Sequence, residues 1–210
     1  MALKKFMGVF ACVLMIGSAA LATAGVPDLQ LSTASRAYAG PETAVLFNIP
    51  NGGGNAFTSA AIAAGTVDAT ITLTLLDGAG VAVANFPFED AWVESADGGL
   101  FACVGGTSAD ANTDANGVTT WANPLAAGGN SEAVTVVMVS GAALTSSGGL
   151  AISHNSADIN GDGVVNLTDV PIFAGDFFGA YAFRSDFSFD GSVNLSDVVR
   201  LAQALGAECP

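Results

Sequence analysis

Two segments near the C-terminus place oxygen-bearing side chains at a spacing that suits a hard cation. The segments are DINGDGVVNLTD (158–169) and DFSFDGSVNLSD (186–197); they are offset by 28 residues and share seven of twelve positions. Such self-similarity indicates one structural unit built twice. Ca²⁺ takes about six to eight oxygen ligands, and a loop with acids and amides at alternate positions can curl them around one point. The sequence therefore predicts two Ca²⁺ sites, one in each loop.

The predicted ligands correspond position by position in the two loops. Side-chain oxygens come from the first, third, fifth, ninth and twelfth residues, and the seventh contributes its backbone carbonyl. The predicted ligands are Asp158, Asn160, Asp162, Val164, Asn166 and Asp169 in the first loop, and Asp186, Ser188, Asp190, Ser192, Asn194 and Asp197 in the second. Mg²⁺ prefers a stricter six-fold geometry, and Zn²⁺ would lack His and Cys ligands. The competing interpretation is a pair of polar turns without metal.

The elements around the loops must position these ligands. Gly163 and Gly191 occupy the sixth place, where a sharp turn leaves no room for a Cβ. Helices are expected over about 167–178 and 195–205, each capped by the ninth residue of its loop and by the acid three residues later. The segment before Asp158 has the pattern of a strand and a turn, so the helix that precedes the loop of a full EF-hand is missing. The aromatic residues between the loops either fill a small core between the helices or pack against the preceding domain.

A duplicated loop-then-helix unit closed by Asp resembles the type I dockerin module, and the resemblance covers 158–206. In that family each repeat binds one Ca²⁺, and the paired helices dock onto a cohesin domain of a scaffold protein. The tenth and eleventh loop places, often a Ser/Thr pair in dockerins, hold Leu167-Thr168 and Leu195-Ser196 here. The resemblance implies calcium binding and a cohesin-like partner. The alternative is an intramolecular calcium clamp that stabilises the tail.

The preceding part of the chain alternates apolar and polar residues, as in ATITLTLL (69–76) and EAVTVVMV (132–139), with Gly- and Asn-rich turns between such runs. The segment from about 67 to 141 resembles bacterial Ig-like domains of the invasin and intimin type, which implies a spacer or adhesion module. The expected fold class is a mainly β, Ig-like antiparallel β-sandwich over 25–155, followed over 158–210 by a small α-helical domain of duplicated calcium loops and helices.

Residues 1–24 have the layout of a secretory signal peptide: Lys4 and Lys5, then the apolar run FMGVFACVLMI, then small residues. Cleavage is expected near Ala24, and an uncleaved anchor is the alternative. After cleavage the chain is expected to have no membrane span. The mature protein is expected to be secreted, either free outside the cell or at the bacterial cell surface. The full chain has a formal net charge of -14, with 5 Lys+Arg against 19 Asp+Glu. So acidic a chain repels phosphate backbones, which excludes nucleic acid as a partner.

The remaining residues offer little catalytic chemistry. Export favours a Cys103–Cys209 disulfide, with two separate thiols or an intermolecular bridge as alternatives. The single histidine, His154, has no nucleophile motif near it and is expected at the surface. Trp92 and Trp121 either belong to the core or form a platform that stacks on sugars. The protein is therefore expected not to be an enzyme.

Three non-catalytic functions compete, and a small hydrolase that depends on one acidic side chain is the catalytic alternative. The first is a secreted, non-catalytic calcium-binding protein that docks within an extracellular or cell-surface assembly through a cohesin-like domain or a second copy of itself. The second is a carbohydrate-binding accessory protein of polysaccharide catabolism, with Trp92 or Trp121 as the contact. The third is a structural exoprotein whose tail is clamped by calcium.

Overall fold

The computed structural model describes residues 25–210, so the predicted signal peptide over 1–24 lies outside the described residues. Within this range the chain forms twelve strands and two α-helices. The strands are β1 Thr33–Arg36, β2 Ala44–Asn48, β3 Ala60–Ile62, β4 Gly65–Val67, β5 Ile71–Thr74, β6 Ala91–Ser95, β7 Leu100–Ala102, β8 Val118–Trp121, β9 Ala127–Gly129, β10 Thr135–Val139, β11 Ala142–Ala143 and β12 Ile152–Ser156. The helices are α1 Asp169–Phe177 and α2 Leu195–Ala204. No helix in residues 25–210 has the length and apolarity needed to cross a membrane.

The strands are distributed over four sheets, in the orders β1-β5-β8, β11-β10-β6, β12-β2-β3-β4 and β7-β9. The period-two alternation of the sequence is visible in β5, where Ile71 and Leu73 are buried and the two threonines are half-buried. The side chains of Ile71 and Leu73 join Leu46, Trp121 and Ile152 in one hydrophobic core. The mostly β character of the chain is confirmed.

The C-terminal segment is built into this β structure. Strand β12 pairs in parallel with β2, from Ile152 opposite Ala44 to Ser156 opposite Asn48. The chain then enters a second cluster, in which the ring of Phe187 lies 5.4 Å from that of Phe47 in β2. The helices therefore share their core with a strand of the large sheet. The predicted fold class, with its separate small α-helical domain, is wrong. Phe47 of β2 belongs to the same buried hydrophobic cluster as the residues of the two helices, so the helical segment has no separate core.

The first helix starts later than predicted, at Asp169 instead of about 167. Pro171 has no N–H and cannot bond to the carbonyl of Leu167, so the first helical turn is incomplete. The second helix, Leu195–Ala204, has no proline in its first turn and matches the prediction to within one residue. Its N-cap is Asn194, and both hydrogen bonds of a capping box with Asp197 are present.

His154 lies in β12 with no exposed surface, so its predicted position at the surface is wrong. The strand is covered on both edges, by β2 and by an antiparallel bridge to Ser131. The imidazole contacts Asn48 Nδ2 at 3.2 Å through Nδ1 and Thr135 Oγ1 at 2.7 Å through Nε2. Burial lowers the pKa of His154 to about 4. The ring is therefore a neutral, hydrogen-bonded part of the interior.

Candidate metal centre

The first loop buries the carboxylates at its two ends. Asp158 and Asp169 have no exposed surface. Asp158 accepts backbone N–H groups of Asp162 at 3.1 Å and Gly163 at 2.8 Å. Asp169 accepts those of Ile159 at 2.8 Å and Asn166 at 2.9 Å. The loop is thus wrapped around its first and last acids by its own backbone.

The second loop repeats this arrangement. Asp186 accepts from the backbone N–H groups of Asp190 at 3.2 Å and Gly191 at 3.0 Å. Asp197 accepts from Ser188 at 2.7 Å and from Asn194 at 2.8 Å. Both carboxylates are buried, at 1% and 0% exposure. The sequence repeat therefore corresponds to a repeated loop conformation.

The glycines at the sixth position are left-handed, which accounts for the predicted sharp turn. The prediction that a Cβ has no room is wrong for Gly191, where nothing lies within 4 Å of the added atom, so the backbone conformation alone favours glycine there. Gly163 has a φ of 88° and Gly191 a φ of 83°. The fourth position is also left-handed in both loops, with Gly161 at 69° and Phe189 at 58°. A phenylalanine in this region is strained. Its ring packs against the second hydrophobic cluster, which holds it there.

The other predicted ligands lie around the buried acids. Asn160 donates to Asp162 Oδ2 at 2.9 Å, and Asn194 donates to Asp190 Oδ2 at 2.7 Å. The carbonyl of Val164 accepts from Asn166 Nδ2 at 3.2 Å. In each loop the amide side chains therefore contact an acid or a carbonyl that is itself a predicted ligand. In the second loop, the serine hydroxyls also contact acids: Ser188 Oγ donates to Asp186 Oδ1 at 3.5 Å, and Ser192 Oγ donates to Asp190 Oδ1 at 2.7 Å.

No group of three or more His, Cys, Asp or Glu side chains within residues 25–210 is arranged to hold a metal ion by itself. An ion in either loop would also need amide, hydroxyl and carbonyl oxygens. The predicted ligand sets contain all three kinds, which are ligands that Ca²⁺ accepts. The residues present are therefore chemically suited to Ca²⁺.

In the first loop, the buried carboxyl group of Asp158 has a shifted pKa. The pKa of Asp158 is raised chiefly by burial, and the nearby charges of Asp169 and Asp162 raise it further against the effect of two backbone hydrogen bonds. The ion pair found in residues 25–210 joins Arg184 and Asp176 at 2.7 Å, outside both loops. No basic side chain in the described part of the chain therefore forms an ion pair with the buried loop acids.

Several contacts of the loops could not be read from motif spacing. Gly128 in β9 lies against the carboxylate of Asp158. Asn155 in β12 donates to the carbonyls of Phe183 and Asp186, each at 2.9 Å. Tyr181 donates to Asp186 Oδ2 at 3.2 Å, and burial together with the charge of Asp186 raises the tyrosine pKa to about 12. Gly128 and Asn155 connect the loops to the sheets, and no local sequence pattern marks any of these three residues.

The two tryptophans have different surroundings. Trp121 is 1% exposed, and its Nε1 donates to the carbonyl of Thr107 at 2.9 Å. Its interpretation as a sugar-stacking residue is wrong because neither ring face is accessible. Trp92 is half-buried, and its Nε1 donates to Glu94 Oε1 at 2.7 Å.

The predicted pairing of Cys103 with Cys209 is present, with the Cα atoms 5.4 Å apart. The bridge joins the residue after β7 to the penultimate residue of the chain. The tail is therefore covalently attached to the β structure.

Comparisons with known proteins give little context. No known protein family matches the chain, and no curated protein matches it. Among solved structures, the chain is similar to the crystal structure of the Lin-41 filamin domain, with 14% sequence identity over 60% of this chain and 95% of that one, at a TM-score of 0.29. A likeness at this TM-score is too weak to carry an argument about the fold.

Proposed function

We propose that this chain is an exported, non-catalytic protein in which two Ca²⁺ ions order the C-terminal segment. One observation carries the proposal: four carboxylates, those of Asp158, Asp169, Asp186 and Asp197, are buried to 99% or more. Burial of an ionised carboxylate without a counter-charge destabilises the folded state by an amount on the order of several kcal/mol. A divalent cation in each loop compensates two such charges at once.

The hydrogen bonds of the loops support calcium as that cation. Backbone N–H groups hold both oxygens of Asp169, from Ile159 and Asn160 on one oxygen and from Asn166 on the other. The acid is thereby fixed in place, and the unused lone pairs of its oxygens can face an ion. Hard cations favour such preoriented oxygens. Binding then stabilises the folded loop, so metal binding and folding are linked.

We further propose that the calcium-ordered helices dock a partner protein. Large apolar side chains are exposed on and beside the two helices, notably Leu167 at 78%, Phe178 at 87% and Leu195 at 72%. A groove between the helices has a volume of about 370 Å³ and apolar walls. Exposed apolar patches on soluble proteins commonly mark interaction sites. A cohesin-like domain or a second copy of the chain would occupy it, with the β part as a spacer in an extracellular assembly.

Calorimetric titration of the mature chain, residues 25–210, with CaCl₂ tests the proposal. The expected result is binding of two ions, reduced to one by Asp162→Ala or by Asp190→Ala, which each remove an exposed carboxylate from one loop. Glu89→Gln is the matched control, because it removes an exposed acid that belongs to neither loop and should leave two ions bound. Absence of binding heat at millimolar calcium in the oxidised wild-type protein would refute the proposal.

A further inference from the structure

The last residues of the chain run antiparallel to the first calcium loop. Gly206 N donates to the carbonyl of Val165, Val165 N donates to that of Ala207, both at 2.8 Å, and Cys209 N donates to that of Gly163 at 2.9 Å. Val164 and Glu208 are the paired residues of an antiparallel β-bridge and lie between these hydrogen bonds. The sixth to eighth positions of the loop are therefore one strand of a short ladder, and the tail is the other.

This ladder determines the direction of one predicted ligand. In an antiparallel pair, residues that do not exchange hydrogen bonds with each other point their N–H and C=O groups away from the partner strand. Val164 is such a residue: its N–H donates to Asp162 Oδ1 at 3.1 Å and its carbonyl accepts from Asn166 Nδ2 at 3.2 Å. Pairing with the tail thus leaves the carbonyl of Val164 directed into the loop, where the residue at the seventh loop position is predicted to supply its ligand.

The disulfide holds the tail against the same turn. A Cβ atom built on Gly163 would lie 3.2 Å from Cys209 Sγ, so the sulfur packs on the sixth position of the loop. The other half of the bridge, Cys103, is 4% exposed, and its N–H donates to the carbonyl of Ala126 at 3.1 Å. The tail is therefore fixed to a residue that is itself held in the β structure.

The second loop provides an internal comparison. A Cβ atom on Gly191 would meet nothing within 4 Å. The backbone around Gly191 makes no ladder with the tail within residues 25–210. The two loops thus share a conformation, and the tail and its disulfide support the first of them.

We infer that the Cys103–Cys209 disulfide positions the first loop for calcium, so that the redox state of this bridge sets the affinity of that site and leaves the second site unchanged. This inference rests on the proposed calcium-binding function. A dithiol reductant cleaves the S–S bond in two exchange steps: the protein gains two electrons and two protons as two thiols, and the reductant becomes a cyclic disulfide. Residues 206–210 are then held to the first loop by the backbone hydrogen bonds of the ladder alone, without the covalent attachment to Cys103.

Calcium titration of two variants in both redox states tests the inference. Asp190→Ala leaves the first loop to be measured, and Asp162→Ala leaves the second. After reduction with dithiothreitol, confirmed by thiol alkylation and mass spectrometry, the dissociation constant of the first loop is expected to rise about tenfold, since a segment that three backbone hydrogen bonds alone hold against the loop is loosened. The constant of the second loop is expected to remain the same. Cys209→Ser in the Asp190→Ala background should reproduce the weakening without reductant.

The outcomes separate the two hypotheses. Equal affinity of the first loop in the oxidised and reduced Asp190→Ala protein would overturn the inference and leave the calcium proposal intact. Equal weakening of both loops on reduction would also overturn it, because the effect would then be general loss of structure. No binding heat in the oxidised wild-type protein would instead refute the calcium proposal itself.

Discussion

Gly128 lies directly beneath the carboxylate of Asp158: a Cβ atom on Gly128 would be 1.9 Å from Asp158 Oδ2. The carbonyl of Asp158 also accepts the N–H of Gly129 at 2.7 Å. Strand β9 therefore forms one wall of the first predicted calcium loop. The missing side chain of Gly128 makes room for the first predicted ligand.

Gly128→Ala should disable the first loop, because a methyl group here displaces the carboxylate of Asp158. We expect the variant to lose one of two bound calcium ions and about 1–3 kcal/mol of unfolding free energy, the usual effect of overpacking a buried site. Calorimetry and urea unfolding measure the two effects. Gly175→Ala is the matched control: nothing lies within 4 Å of its new Cβ in α1, so it should gain about 0.5–1 kcal/mol of stability and keep both ions. Two ions bound by Gly128→Ala would contradict the expectation.

The glycines at the sixth loop positions should differ in their tolerance of alanine. Both have positive φ, so alanine is strained at either site by about 1–2 kcal/mol. At Gly163 the methyl group would also press on Cys209 Sγ at 3.2 Å, whereas Gly191 has open space around it. We expect Gly163→Ala to lower the urea midpoint by more than Gly191→Ala. Equal midpoints would show that the sulfur yields without loss of stability.

His154 should make the protein sensitive to mild acid. The folded pKa of His154, about 4, lies below the ordinary histidine pKa of 6.5, so its stabilising contribution is fully present above pH 6.5 and is lost as pH falls towards 4. The shift corresponds to about 3 kcal/mol. Asn48 Nδ2 can only donate, so Nδ1 accepts, Nε2 donates to Thr135, and a proton added at Nδ1 would face another donor.

Urea unfolding between pH 7 and pH 4, at saturating calcium, measures this effect. His154→Gln keeps an amide in place of the ring and does not titrate, so its stability should depend less steeply on pH even where its absolute stability is lower. The same slope for wild type and variant would show that other groups cause the acid sensitivity.

Substitution of the two tryptophans distinguishes a structural role in the core from binding of polysaccharide. Trp121→Ala should lower the unfolding free energy by about 3–5 kcal/mol, as expected for a large side chain removed from the interior. Trp92→Ala should have a smaller effect, about 1 kcal/mol, because the ring is half-buried. Co-sedimentation with insoluble polysaccharides then tests the alternative through Trp92 alone. Retention that falls in Trp92→Ala would favour sugar binding, and no retention of the wild type would remove it.

Local features of the two repeated loops were predictable from the sequence. The sixth-position glycines, the capping box of Asn194 with Asp197 and the extent of α2 follow from spacing and residue type, which act over a few neighbours. The late start of α1 could also have been predicted, since Pro171 lacks the N–H that would bond Leu167. These features are determined within one turn of the chain.

The attachment of the C-terminal segment to the sheets was not predictable from local sequence. Phe47 and Phe187 are 140 positions apart in sequence, and β12 joins β2 across about a hundred residues. The alternation of apolar residues gives the faces of a strand and does not give its partner. His154 was misplaced for this reason, because its burial depends on the strands that flank β12. The separate helical domain was predicted wrongly because the core partner in β2 is distant in the chain.

The segment that carries both loops is anchored at each of its ends, by β12 before Asp158 and by the bridge to Cys103 after the last helix. If the proposed calcium ions are removed and the loops open, the segment remains next to the surface on which it folds. Its local concentration there stays high, and reclosing is a unimolecular event. Recovery after a calcium-free interval should therefore proceed at a rate that does not depend on protein concentration.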